Sequence, residues 1–321
     1  KILSVLDSPF IEEGYRLYFI FKGIRDPYEN CEFVTQGVKS KTYLHEEYKM
    51  LINVRCFQDN NGETPIHLAA AQGNIDILNE VLNATDQIDC IDIENAKRET
   101  GLFKAVINGH IECVKKLLKE GASITKTLPK QVNVFHIAAE QGYVKLLKVL
   151  LDYNYNVTRS MINFLTVDDR KGYGPIHFAV SNNHIDCVKL LLSRNAYVSL
   201  RTSYGIHKDS TPLHIAAINN NVEIAKVIIK FDKTAVQLVD DVGWSALHTA
   251  SHHGNRDMIA LLLKEGADLS SYTKGNKCQN TAINMIMNNL SKPTNFMEDI
   301  FDSYIYTNNL NIQDPNCEVT I

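Results

Sequence analysis

Apolar residues recur along the chain in short bursts at helical spacing, separated by polar turns. Val114, Leu117 and Leu118 stand at i, i+3 and i+4, as do Met258, Leu261 and Leu262. Each of these bursts predicts an amphipathic helix, closed by Gly121 or Gly266 as a C-terminal cap. A shorter apolar segment precedes each burst. Several open on Thr or Ser, which can cap a helix N-terminus, followed by Pro, which suits the first turn, as in Thr64-Pro65 and Thr211-Pro212. Gly73, Gly109, Gly142 and Gly254 fall between the two segments, where a tight turn favours a positive φ. The pattern therefore predicts pairs of short helices. A single pair cannot bury its apolar face, so neighbouring pairs must stack.

The pairs repeat. Thr64-Pro65-Ile66-His67 returns as Gly174-Pro175-Ile176-His177 and Thr211-Pro212-Leu213-His214, with weaker copies ending at Phe103, His136 and His248. Counted at the fourth residue, the copies are separated by 36, 33, 41, 37 and 34 positions, and each is followed two residues later by Ala. Period and signature resemble ankyrin repeats. The resemblance implies an all-α fold, an ankyrin-repeat solenoid of about six to seven helix-turn-helix repeats with degenerate ends. Thr64, Pro65, His67, His136, Pro175, His177, Thr211, Pro212, His214 and His248 are its structural motif residues.

Departures from the pattern locate boundaries. The second copy has Phe103 for His and Gly101 for Pro, and lacks the usual Asp-Gly turn before it. The 41-residue interval carries an insertion somewhere in Tyr153–Tyr173, and a smaller extension lies around Arg201–Asp209. Such extras are expected in loops between repeats, a side commonly used for partners. Thr281-Ala282-Ile283-Asn284 reads as a degenerate final repeat. Thr42-Tyr43-Leu44-His45 imitates the motif but lies too close to His67 for a complete repeat. The expected organisation is an irregular or eroded segment at 1–60, the repeat array at 61–290, and a helix and linker at 291–321.

Composition narrows the function. Lys plus Arg number 33 against 37 Asp plus Glu, so no basic excess is available to neutralise nucleic-acid phosphates. The lysines of the second helices, Lys115, Lys116, Lys119, Lys145, Lys148 and Lys189, read as a solvated face. No segment approaches the roughly 20 uninterrupted apolar residues that span a bilayer; the nearest, Tyr15–Ile24, carries Arg16 and Lys22. Seven dispersed Cys without a CxxC pair predict reduced thiols. Asn-linked triplets at Asn83, Asn156 and Asn289 are read as silent.

Candidate chemistry is sparse. His67, His136, His177, His214 and His248 occur once per repeat, which favours a structural imidazole bridging backbone groups of adjacent loops over a catalytic or metal role. His248 and His252, at i and i+4 beside His253, have a spacing that suits zinc, yet no partner residues complete the ligand set. Cys113 and Cys187 occupy matching places in second helices and read as core. Cys278, flanked by Lys274 and Lys277, and Cys317 are the candidate reactive thiols. No phosphate-loop, dinucleotide, nucleophile-elbow, zinc-protease or kinase motif is present. The expectation is no enzyme, no cofactor and no metal.

A narrower resemblance lies at the C-terminal end. Asp240-Asp241-Val242-Gly243-Trp244-Ser245-Ala246-Leu247-His248 resembles a late repeat of the TRPA subfamily of transient receptor potential channels, of the insect pyrexia or painless type. Lys274-Gly275-Asn276-Lys277-Cys278 with Thr281-Ala282-Ile283 resembles that family's last repeat. Phe296–Ile305 resembles the helix after it, and Cys317–Ile321 the extended segment leading toward the first membrane helix. The resemblance implies a cytosolic gating and sensory region of a homotetrameric, non-selective cation channel. It would bind proteins through loop and concave faces at the inner side of the plasma membrane, its pore lying beyond Ile321. The competing readings are a soluble ankyrin scaffold or adaptor, and an ankyrin-bearing acyltransferase whose catalytic domain lies elsewhere. The absence of Met at position 1 and the linker-like tail are expected of a chain truncated at both ends.

Overall fold

The computed structural model describes residues 58, 60–84, 90–167, 172–203, 208–273, 281–304, 306–307 and 319–320. Most of the segment at 1–60, and both Cys278 and Cys317 with the flanking Lys274 and Lys277, lie outside the described residues. Internal contacts divide the chain between Thr166 and Val167 into two units.

The first unit contains α1 (Pro65–Gln72), α2 (Ile75–Ala84), α3 (Gly101–Ile107), α4 (Ile111–Lys119), α5 (Val134–Glu140), α6 (Val144–Tyr153) and α7 (Tyr155–Met161). First helices pack on first helices, α1 on α3 and α3 on α5, and second helices on second helices, α2 on α4 and α4 on α6. Ala69, Ala105 and Ala138 are fully buried at the crossings, where a larger side chain would hold neighbouring repeats apart.

The second unit contains α8 (Pro175–Ser181), α9 (Ile185–Ser193), α10 (Pro212–Ile218), α11 (Val222–Phe231), α12 (Ala246–His252), α13 (Arg256–Lys264), α14 (Ala282–Asn289) and α15 (Pro293–Tyr304). It repeats the rule: α8 packs on α10, α10 on α12 and α12 on α14, while α9 packs on α11 and α11 on α13. Ala179, Ala216 and Ala250 are fully buried.

The turn between helices uses a left-handed residue in both units. Gly73 has φ 72°, and a Cβ there would run into the His110 ring. Asn183 and Asn220 do the same job at φ 60° and 55°, since Asn tolerates this region better than most residues. The finger before α3 forms without Asp-Gly. Asn95 Oδ1 accepts from the amides of Lys97 and Glu99, both at 2.9 Å, and Arg98 takes the positive φ of 61°. In the finger before α12, Asp240 and Gly243 fill these roles.

Two expectations change. The Tyr153–Tyr173 insertion is not all loop, because Asn154 Oδ1 caps Asn156 and Val157 at 3.1 and 3.4 Å and starts α7, which buries Thr158 and Met161. The helix expected after the array begins three residues beyond α14, the same turn length that separates α12 from α13. Arg256 of α13 donates to the Ser291 carbonyl and lies 5.3 Å from the Phe296 ring, so α14 and α15 dock as one more helix pair. The all-α ankyrin-repeat solenoid is as expected, with one two-residue antiparallel pair, Tyr306–Thr307 with Val319–Thr320, after α15.

Charge reinforces one joint. Lys104 Nζ lies 2.7 Å from Glu63 and 2.9 Å from Glu99, with all three side chains largely buried. Burial opposes charge on Glu99, yet bonds from Asn95 and Lys104 hold its carboxyl below the usual range. Burial likewise opposes charge on Lys104, and the two carboxylates more than offset it. Lys104→Met would leave two half-desolvated carboxylates together. We expect it to cost about 2 kcal/mol, measured by urea unfolding of the first unit at low salt, with most of the loss recovered by adding Glu63→Gln. A neutral Lys104→Met would refute the network's importance.

Candidate interaction surface

The histidines share one geometry. Each occupies the third position of a first helix, where Nδ1 accepts the amide hydrogen of the N-cap residue. The distances are 3.0 Å for Thr64–His67, 3.0 Å for Asn133–His136, 3.0 Å for Gly174–His177, 3.2 Å for Thr211–His214 and 3.2 Å for Ser245–His248. Nε2 then faces a carbonyl of the following finger or loop. The acceptors are Glu99 at 2.8 Å, Phe164 at 2.9 Å, Leu200 at 3.0 Å, Trp244 at 2.9 Å and Ser271 at 3.1 Å. A carbonyl can only accept, so Nε2 carries the hydrogen and Nδ1 the lone pair. Pro65, Pro175 and Pro212 start their helices at the first turn, where a missing N–H costs nothing.

These positions leave the rings no spare lone pair. Both nitrogens of His248 are engaged, so it cannot join His252 in binding zinc. Among the described residues no group of three His, Cys, Asp or Glu is placed to hold a metal. Burial pushes His177 and His214 down to about 4 and also lowers His67 and His248. Cys113 and Cys187 are free and buried, and burial raises both thiols, Cys187 to about 11. Cys90, against the expectation of reduced thiols throughout, is held in a disulfide.

A second ladder escaped the sequence reading. Residues at or beside the turn between helices reach back to carbonyls of the preceding repeat. His110 Nε2 bonds Ala71 at 3.0 Å in the first unit. In the second, Asn221 bonds Val180 at 2.9 Å, Asn255 bonds Ala217 at 2.7 Å and Asn289 bonds Ser251 at 3.2 Å. The 33-to-41 spacing that reveals the motif histidines also brings Asn221, Asn255 and Asn289 into register, a signal that could have found them.

One set of side chains available to a partner lies on the loops of the second unit. The His252 ring lies tilted against Trp244 with centroids 5.1 Å apart, and the His253 ring meets His252 edge-on at 5.2 Å. Val242, in the finger that carries Trp244, is 46% exposed, and Tyr272, next to the carbonyl bonded by His248, is 64% exposed. Loops held on a rigid scaffold are where binding residues concentrate.

This fold and its buried histidine ladder define a repeat scaffold that binds through its surface. A family model described as ankyrin repeats (3 copies) matches residues 38–128, 102–202 and 176–273. The chain belongs to the ankyrin-repeat family. It is 28% identical over 229 residues to the chicken (Gallus gallus) nuclear factor NF-kappa-B p105 subunit, covering 69% of this chain and 22% of that protein. It is 32% identical over 218 residues to human (Homo sapiens) B-cell lymphoma 3 protein, covering 66% of this chain and 45% of that one. The chain thus spans less than half the length of these relatives. The crystal structure of the ankyrin repeat domain of Bcl-3, described as a unique member of the IkappaB protein family, aligns with TM-score 0.63 at 26% identity. That alignment covers 75% of this chain and 99% of that domain. The human ASB11 ankyrin repeat domain shares the fold, with TM-score 0.56 at 21% identity over 74% of this chain and 97% of that one. No described helix is long and apolar enough to cross a membrane.

Proposed function

We propose that the chain is a protein-interaction scaffold or adaptor that takes its partner on the loops of the second unit. The observation that carries this reading is the exposure of Val242 and Tyr272 on separate loops of this unit and of the His252 ring beside Trp244, mounted on a framework whose polar motif residues are spent internally. The family and the likeness to p105 and Bcl-3 support it, because repeat arrays act by presenting surfaces. Val242→Asp combined with Tyr272→Asp changes two exposed side chains, so circular dichroism and melting should be unchanged within about 0.5 kcal/mol. Cross-linking and affinity purification from cells expressing this chain should then lose a subset of partners. An identical partner set for wild type and variant would overturn the reading.

A second reading rests on one observation. The stretch with TRPA-like sequence ends in α15 and the strand pair Tyr306–Thr307 with Val319–Thr320, the order of helix and extended segment that the resemblance implies. On this reading the chain is the cytosolic part of a tetrameric cation channel at the plasma membrane. The transcript downstream of Ile321 separates the two: six hydrophobic spans with a pore loop support the channel, and an early stop codon supports the adaptor.

A further inference from the structure

The N-caps of the second unit differ in an atom that matters once an imidazole takes a second proton. That proton must go to Nδ1, which in the neutral ring accepts a backbone N–H and therefore meets a donor with no lone pair to offer. Thr211 and Ser245 carry a remedy, since their hydroxyls already lie 2.8 and 2.9 Å from Nδ1 of His214 and His248. Each hydroxyl now donates to Nδ1, and by turning its hydrogen away it can accept from a charged ring. Thr64 offers His67 a cap oxygen in the same way, whereas Asn133 Oδ1 accepts the backbone amides of Phe135 and His136. Gly174 has no side chain.

Among the described residues the surroundings give His177 no other outlet. α8 packs on α9 and α10, and the ring lies 5.5 Å from Tyr173 on its approach loop. The α9 segment, with His184 before it, carries buried Cys187 and the exposed Asp186, which is bonded to Lys189 at 3.2 Å. α10 contributes His214, and the following finger brings Arg201, whose guanidinium donates to the Asp209 and Val239 carbonyls. Asp186, the one carboxylate on these helices, is already bonded to Lys189. By contrast Asp268 favours charge on His248.

We propose that the joint between Gly174–His177 and the Leu200 carbonyl is where acid first opens the second unit, because its cap lacks an oxygen to take the imidazolium proton. The protonated ring is expelled, the Nε2 bond to Leu200 is lost with it, and α8 parts from the finger that leads to α10 while the Thr211 and Ser245 joints still hold. The backbone at Gly174, φ −89° and ψ 170°, is extended and open to any residue, so the missing hydroxyl can be supplied. Gly174→Ser reproduces the Ser245 arrangement.

The test is hydrogen–deuterium exchange on the whole 321-residue chain from pH 7.5 to 4.5, corrected for intrinsic exchange. Amides of 174–182 and 200–203 should lose protection at a higher pH than those of 212–218 or 246–252. Gly174→Ser should move that onset down by roughly half a pH unit, yet change protection little at pH 7.5, since Gly is only slightly the poorer N-cap. His177→Gln, which cannot titrate, should flatten the pH dependence of the same peptides whatever its baseline stability. The proposal fails if Gly174→Ser shifts protection equally at both pH values, if α10 opens first, or if His177→Gln leaves the pH profile unchanged.

Discussion

Lowering the pH from 7.5 to 4 should remove several kcal/mol of stability from the second unit. His177 and His214 are fully buried, and each has its proton affinity lowered, first by burial and only partly restored by the bond to Leu200 or Trp244. Arg201 and His248 further oppose charge on His214. With the folded value pushed down from 6.5 to about 4, protonation is strongly preferred in the unfolded chain. The stability linked to each ring is therefore complete above pH 6.5 and is lost progressively as pH falls toward 4. The loss comes to about 3 kcal/mol per histidine at 1.36 kcal/mol per unit of pKa. Two such losses rival the whole stability of a typical domain, so the second unit should be largely unfolded near pH 4. Urea midpoints at half-unit pH steps measure this directly. A His177→Gln/His214→Gln double variant should be less stable at pH 7.5 but much flatter in pH. If wild-type stability were constant between pH 6.5 and 4.5, the buried neutral ladder would be the wrong account of these rings.

The same ladder shows why the fold was legible in sequence. The motif histidine works only if a cap residue stands three positions before it and a carbonyl of the next finger meets it, so the requirement prints itself once per repeat. Pro, the buried Ala and the left-handed turn residue are periodic for the same reason. Features that occur once leave no such trace. α7 is seven residues long with only Thr158 and Met161 buried, too short to establish a helical period. The zinc spacing of His248 and His252 was visible, but spacing alone does not tell that Nδ1 and Nε2 of His248 are both spent on backbone groups. Exposed docking residues such as Val242 and Tyr272 satisfy no internal constraint and are unmarked among ordinary loop residues. The relatives carry the chain to the ankyrin-repeat family, whereas the narrower channel resemblance rests on its last 82 positions, 240–321.

Phe103 is where the repeat breaks its own rule, and its replacement should separate shape from hydrogen bonding. The side chain is 1% exposed in the slot that other repeats give to histidine, on a helix packed against both α1 and α5. Phe103→Ala empties a ring-sized volume between close-packed helices and should cost about 3–5 kcal/mol. Phe103→His should cost far less, about 1 kcal/mol. Thr100 already caps the helix, its Oγ1 accepting the Phe103 amide at 3.5 Å, as Thr64 does for His67. The Val132 carbonyl directly precedes the next N-cap, Asn133, just as Glu99 and Trp244 precede Thr100 and Ser245. It accepts from Leu128 at 2.8 Å and has a second lone pair, the same sharing that Glu99 shows between Asn95 and His67. Urea unfolding of the two variants at pH 7.5 decides the matter. Equal large losses would mean that the Phe103 slot has been remodelled around an aromatic hydrocarbon. A small loss for His, turning large below pH 6 where the phenyl parent stays flat in this segment, would mean that the second repeat retains the full hydrogen-bonding frame of its neighbours and merely leaves it unused.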